Sequence, residues 1–411
     1  MLYPLVASIA VAMPVAPPTD AAPQPEAAQV ATGESAYLAD HVQLTFVEQF
    51  SRAGEAYFSP DGRSIIFQAI PVPEAGKEAD PFYAMYVASV VRDEQGKITG
   101  LAGITRVSPP GSANTCGWFH PTQPNRILFG TTFTTPSDDQ KSGFQVGSRK
   151  YVWMFPAEME IAEASFTPWT LSTPAGTSAA VEASAPKALF NRPNYDAEGS
   201  WDPTGRFLLY AHVEDAPAMG RPDANLYIFD SITGSHTPIV TAQGYDGGPF
   251  FSPDGKAICY RSDRKGDDHL QLFVATLRFE TLTDGTQAPV GIEHEFQITD
   301  NADVNWCPFW HPSGKFLVYA TSSVGHHNYE VFALQVDIDA LKAGAPVSSM
   351  RSERVTFTNG ADVLPAFSPD GQWMMWTAQR SPAEKGSPRP SSQLWVARWV
   401  RGIVGVDTPA N

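Results

Sequence analysis

The chain is poor in cysteine, in basic charge and in long apolar runs. Three cysteines in 411 residues (Cys116, Cys259 and Cys307), with no CxxC pair, exclude a disulfide framework, zinc fingers, thioredoxin-like redox chemistry and haem attachment. Lysine and arginine number 28 against 44 acidic residues, a formal charge of −16, which leaves no electrostatic footprint for nucleic acid or an anionic bilayer. After residue 13 no stretch nears the ~18 unbroken apolar residues of a membrane-spanning helix. Catalytic signatures are missing too: there is no Gly-X-Ser-X-Gly elbow, no phosphate loop, no His-Glu-X-X-His and no calcium loop. No cofactor and no metal is therefore expected, and no catalytic residue is assigned.

What the chain has in quantity is turn residues, 36 prolines and 32 glycines. An aromatic residue followed by Ser/Asp/His-Pro-X-Gly occurs at Phe58–Gly62, Trp201–Gly205, Phe251–Gly255, Trp310–Gly314 and Phe367–Gly371. A degenerate sixth copy begins Phe119-His120-Pro121, with Asn125 where the glycine belongs. The opening residue and proline favour a type I turn, and glycine closes it. Each turn precedes an apolar run such as Ile65-Ile66-Phe67 or Trp373-Met374-Met375-Trp376, then an alternating run, then a short last strand. Residues 246–275 align without gaps on 305–334, with eight of thirty positions identical.

Four strands per unit and six units predict an all-β, six-bladed propeller. Val42-Gln43-Leu44-Thr45 matches Phe296-Gln297-Ile298-Thr299, an outermost strand, yet precedes the first complete unit. The N-terminal strand is thus expected to complete the last blade and close the ring. A seventh blade within residues 157–190 is the structural rival, although that stretch has no turn signature.

The leader, Leu2 to Met13, is apolar and carries Ala10-Val11-Ala12 as a cleavage site, with no lysine or arginine before it. The expected organisation is a signal peptide at 1–12, a disordered Pro/Ala-rich linker at 13–40, the propeller at 41–400 and a C-terminal tail at 401–411. This places the protein in the periplasm or outside the cell.

The Phe-Ser-Pro-Asp-Gly turn, the Ser262–Gly266 hairpin, and the outer strands at Gln43-Leu44-Thr45 and Arg354-Val355-Thr356 resemble the TolB-type propeller repeat over residues 41–399. The resemblance implies a propeller and, from periplasmic TolB, binding of envelope partners. The sequence lacks the α/β domain that TolB carries before its propeller, so that domain's contacts do not transfer.

Two columns of the repeat are candidate ligand positions at the channel mouth. Seven residues before the turn proline stand Asn114, Asp196, Asp246, Asn305 and Asp362; five before it stand Glu55, Cys116, Glu198 and Cys307, with Gly248 and Leu364 in the remaining blades. The Asx column has a structural reading as well, capping the start of each inner strand. Cys116 and Cys307 fall on opposite blades and are expected to be free thiols; Cys259 reads as core. His120 and His311 open turns, and His326-His327 sits in a hairpin loop.

Long connections between second and third strands are expected in blades one (Ile70 to Pro81), two (Thr131 to Lys150), three (His212 to Ala224) and six (Gln379 to Ser392). A further insertion in blade two, Pro156 to Pro186, is expected on the opposite face. The reading is a monomeric, non-catalytic envelope or secreted propeller that binds a protein or cell-envelope polymer on its long-loop face. The alternative is a carbohydrate lyase or hydrolase with a metal or acidic site at the channel mouth.

Overall fold

A computed structural model describes residues 33–137, 143–145, 150–152, 154–168, 182–217, 221–383 and 389–400. The five intact turns form where the sequence places them. The N–H groups of Gly62, Gly205, Gly255, Gly314 and Gly371 donate to the turn-opening carbonyls at 2.8–3.0 Å. These glycines lie at φ +66 to +75°, a region that costs other residues strain.

Each turn joins the first two strands of an antiparallel four-stranded sheet, and there are six such sheets. Blade one is Phe50–Phe58, Ser64–Pro71, Ala84–Arg92 and Ile98–Arg106; blade two is Asn114–His120, Gln123–Thr131, Glu160–Ser165 and Lys187–Ala188. Blade three is Asp196–Trp201, Phe207–Val213, Ala224–Asp230 and His236–Val240; blade four is Asp246–Phe251, Ala257–Ser262, Gln271–Thr281 and Gln287–Gln297. Blade five is Asn305–Trp310, Phe316–Thr321, Glu330–Gln335 and Ser352–Arg354. Blade six is Asp362–Phe367, Trp373–Ala378 and Gln393–Trp399, completed by Leu38–Gln43 from the other end of the chain. The fold is a six-bladed propeller closed as expected.

Two expectations about boundaries change. The described residues begin at Gly33, with a 3-10 turn at Glu34–Ala36, so residues 33–40 of the expected linker are part of the propeller's packing. The reason is Glu34: its fully buried carboxylate takes Arg380 Nη1 and Nη2 at 2.6 and 3.0 Å, His41 at 2.7 Å and the Phe357 N–H at 3.1 Å. The leader and the C-terminal tail lie outside the described residues.

In blade two the third strand is Glu160–Ser165, paired with Gln123–Thr131. The loop before it therefore runs to Met159, past Lys150, and Lys150–Val152 pairs instead with Gly143–Gln145 in a separate hairpin. The described residues within 157–190 hold this strand and the short outer one, Lys187–Ala188, both part of blade two, and form no seventh blade. Ile161 and Ala162 are fully buried, whereas Phe155 is used elsewhere.

Apolar side chains alternate along each strand, so both faces of a blade are buried against its neighbours. Among the described residues the result is eight clusters, a main one at each of the six seams and two small ones beside them. At the seam of blades five and six, Phe316, Val318, Val331, Met374 and Trp376 are among thirteen buried residues; at the seam of blades two and three, ten are split between two clusters, one with Leu128, Ile161, Leu208 and Phe229, the other with Met159 and Ala197. Each such side chain contributes ~1.5–3 kcal/mol on burial.

Candidate functional site

The column five residues before the turn proline does converge on the propeller axis. Glu55, Cys116, Glu198, Gly248, Cys307 and Leu364 all line one central cavity. All six have left-handed backbone, φ +39 to +60°, at a register shift in each innermost strand. These are bulges, which turn one side chain towards the axis. A left-handed non-glycine residue costs roughly 1–2 kcal/mol. Hydrogen bonds running from blade to blade offset it. The Gly248 N–H donates to Glu198 Oε2, the Leu364 N–H to Cys307 Sγ at 3.2 Å, and the Glu55 N–H to Thr377 Oγ1 at 3.0 Å.

The cavity is small. Its volume is about 20 Å³, room for a single water molecule. Beneath the ring, Tyr57, Trp118, Phe250 and Phe309 fill the axis with centroids 5.0 Å (Tyr57–Trp118), 5.2 Å (Trp118–Phe250) and 5.3 Å (Phe250–Phe309) apart. All four stand three residues before the turn proline, a column legible in the repeat although nothing local marks it as a plug. Above the ring, Phe155 packs on Tyr195 and Tyr245 at 5.1 and 5.6 Å.

Within the cavity, Glu198 takes Tyr245 Oη at 2.8 and 2.9 Å, Tyr195 Oη at 3.4 Å and Arg261 Nη2 at 3.3 Å. Tyr57 Oη donates to Glu55 Oε1 at 3.2 Å. Burial pushes the Glu55 carboxyl up. Burial also raises the Cys116 thiol, and moves Cys307 to about 12. All three cysteines are free, and thiols so shifted are poor nucleophiles and poor metal ligands. Among the described residues no three His, Cys, Asp or Glu side chains are placed to hold a metal ion.

The Asx column turns into the wall. Asn114 Nδ2 donates to the Tyr83 and Ser112 carbonyls at 2.8 and 2.9 Å, and Asn305 Nδ2 to Asn301 Oδ1 at 2.8 Å and Gln271 Oε1 at 3.1 Å. Asp196 meets His212 Nδ1 at 2.9 Å. Asp246 accepts from the Ala242 N–H at 3.2 Å and Arg264 at 3.3 Å. Asp362 accepts from Trp376 Nε1 at 3.0 Å and Arg380 at 2.8 and 3.0 Å. Arg264 and Arg380 each follow their aspartate by 18 residues, a regularity that the sequence carries and that a search for motifs passes over.

The turn histidines are structural. His120 packs on Gly205 and His311 on Gly371, where an added Cβ would meet the rings at 2.5 and 2.7 Å. His326 and His327 have separate partners, Tyr329 and Arg389.

The large concavity lies on the turn side of blades three to five. It is a groove of about 1110 Å³. One wall is the long hairpin Gln271–Thr281/Gln287–Gln297, the other the helix Ile338–Lys342. The hairpin tip is held on blade three by Arg206, which bonds Asp284 at 2.8 Å and Thr286 at 2.9 Å. Its base is tied to the helix by Lys342–Glu293 at 3.0 Å. Phe279, Pro289 and Val336 contribute apolar lining, and Lys256 is exposed within it.

No family model matches the chain. An uncharacterized peptidase YuxL of Bacillus subtilis is 25% identical over 209 residues, 45% of this chain and 30% of that protein. An uncharacterized protein Atu1656 of Agrobacterium fabrum is 28% identical over 149 residues, 36% of this chain and 41% of that protein. The chain thus spans less than half the length of either curated relative. Among solved structures, TolB from Acinetobacter baumannii aligns at 14% identity and TM-score 0.43, covering 86% of this chain and 64% of that one. Oligogalacturonate lyase from Vibrio parahaemolyticus aligns at 12% identity and TM-score 0.42, covering 87% and 92%. Among the described residues no helix is long and apolar enough to cross a membrane.

Proposed function

We propose that the chain is a non-catalytic binding propeller of the periplasm or cell exterior, and that its partner, a protein segment or an envelope polymer, lies in the turn-side groove. The groove carries this reading. A volume of about 1110 Å³ exceeds the usual small-molecule pocket and spans three blades, the shape of a site for an extended chain. Its walls are the elements that lengthen blades four and five beyond the repeat, and they are pinned at both ends. The central cavity, at about 20 Å³, leaves no room for a sugar, which weighs against a channel-mouth carbohydrate enzyme. The compartment rests on the apolar leader.

The test is capture from envelope extract and from envelope glycans on immobilised protein, comparing wild type with Lys256→Glu and Gln287→Arg. Both positions are exposed in the groove. The expected result is a ligand retained by wild type and lost from both variants. Retention that survives them but fails in Lys77→Glu would move the site to the long-loop face.

A further inference from the structure

The connection from blade five to blade six, residues 357–361, runs between two partners of the Glu34 clasp. At its start the Phe357 N–H donates to Glu34 Oε2 at 3.1 Å; just past its end Asp362 accepts from Arg380, which also holds Glu34. Thr358 Oγ1 donates to Asp362 Oδ2 at 2.8 Å, and the Ala361 N–H to Gln379 Oε1 at 3.3 Å.

In the middle of this connection stands Asn359-Gly360, the only Asn-Gly pair in the sequence. The fold requires the glycine. Its φ is +116°, and an added Cβ would meet the Gln379 carbonyl oxygen at 2.7 Å and Gln379 Cβ at 3.0 Å. Asn359 itself is exposed.

Asparagine before glycine is the pair most open to deamidation, because no side chain shields the following amide nitrogen. That nitrogen gives up its proton and bonds to the asparagine Cγ; the Cγ–Nδ2 bond breaks and ammonia leaves. Water then opens the cyclic imide at one carbonyl or the other, giving aspartate or isoaspartate, the latter with one more methylene in the main chain. Here the attacking nitrogen is held. The Gly360 N–H donates to Asn328 Oδ1 at 2.7 Å, and Asn328 is fixed in turn, its Nδ2 on Glu330 Oε1 at 3.1 Å and its N–H on the Gly325 carbonyl at 2.9 Å. An amide that donates a hydrogen bond keeps its proton and its orientation, so the imide waits on local opening of that bond.

We propose that Asn359 is a deamidation site, that Asn328 sets its rate from across the five–six seam, and that conversion loosens the clasp. Aspartate adds a carboxylate three residues from Asp362; isoaspartate lengthens the main chain between Phe357 and Asp362, whose bonds to Glu34 and Arg380 need the original length. Neither Asn328 nor Asn359 lines the groove, so the site does not depend on what binds there.

Peptide mapping of the full chain, aged at about pH 8.5 and about 37 °C, reads conversion as a gain of about 1 Da. Asn359 is the only asparagine in the tryptic fragment 355–380. Wild type held in denaturant is expected to convert about 10-fold faster than native wild type, and native Asn328→Ala to approach the denatured rate. Asn359→Gln should gain no mass in that fragment. Aged wild type should unfold at a lower denaturant midpoint than fresh wild type, while Asn359→Gln keeps its midpoint on ageing. No conversion in denaturant would overturn the site. Native Asn328→Ala converting no faster than native wild type would overturn the gate; if that variant fails to fold, equal rates for native and denatured wild type would do so. Conversion that leaves the midpoint unchanged would overturn the link to the clasp.

Discussion

The seams between blades five and six and between blades two and three are built from the same repeat positions and held in different ways. The first has thirteen buried apolar residues in one cluster, Arg354 on Glu330, Arg380 on Asp362, and the Glu34 segment clasped over Arg380. The second has ten buried apolar residues split between two smaller clusters, and two buried acids, Glu160 and Asp196, that no guanidinium hydrogen-bonds. Burial alone would raise Glu34, yet hydrogen bonds from His41 and Arg380 bring it to about 2; at the other seam Glu160 goes to about 7. At Glu34 the donors outweigh the depth. At Glu330 the depth wins: burial and the neighbouring Asp362 push it to about 8 although Arg354 and Thr356 donate to it, so both seams hold a raised glutamate.

Removing the arginine should erase the contrast. Arg380→Ala leaves Glu34 and Asp362 buried without their cation and is expected to cost about 3–5 kcal/mol, read from the denaturant midpoint. If the loss stays under about 1 kcal/mol, the clasp is not what fastens the ring closure. Acid titration is the next largest effect. Glu34 is depressed, so its contribution, roughly 3 kcal/mol, is present above the ordinary glutamate value and lost as pH falls from about 4.5 towards 2. Glu34→Gln should flatten that acid limb in a stability–pH curve.

Glu160 has the opposite sign. Its raised value means stability present below about 4.5 and lost as pH rises to about 7, a slope that Glu160→Gln should remove.

At the turn side the two seams are alike, and substitutions there should show it. Gly205→Ala and Gly371→Ala each force a Cβ onto a histidine ring at φ +75° and +69°. Each should cost about 1–3 kcal/mol, equally at both seams. Unequal values would mean that the difference between the seams extends beyond their carboxyl ends. The smallest change is expected for Asp196→Asn at about pH 8, within about 1 kcal/mol of wild type, because it removes a repulsion and a hydrogen bond together.

The turns are the most legible part of the chain. A Pro-X-Gly turn is a local event, so six copies mark six blades, and the pattern of Val42-Gln43-Leu44-Thr45 alone marks the closing strand. The spacing of Glu55, Cys116, Glu198 and Cys307 within the repeat points to the axis, and the column lies there. The Asx column has the spacing of the same mouth but turns into the seams. In blade two, the apolar run Tyr151–Phe155 has the pattern of a third strand; the strand is Glu160–Ser165, because Phe155 is claimed by Tyr195 and Tyr245 from two other blades. No local pattern carries that information.

Sequence by itself therefore determined the blade number, the strand order and the closure, all of which follow from turn chemistry and apolar alternation within some sixty residues. Tertiary structure decided which acids acquire a cation, how the axis is filled, and where the open groove lies. Those depend on side chains from different blades meeting across a seam, and only the closed ring sets which ones meet.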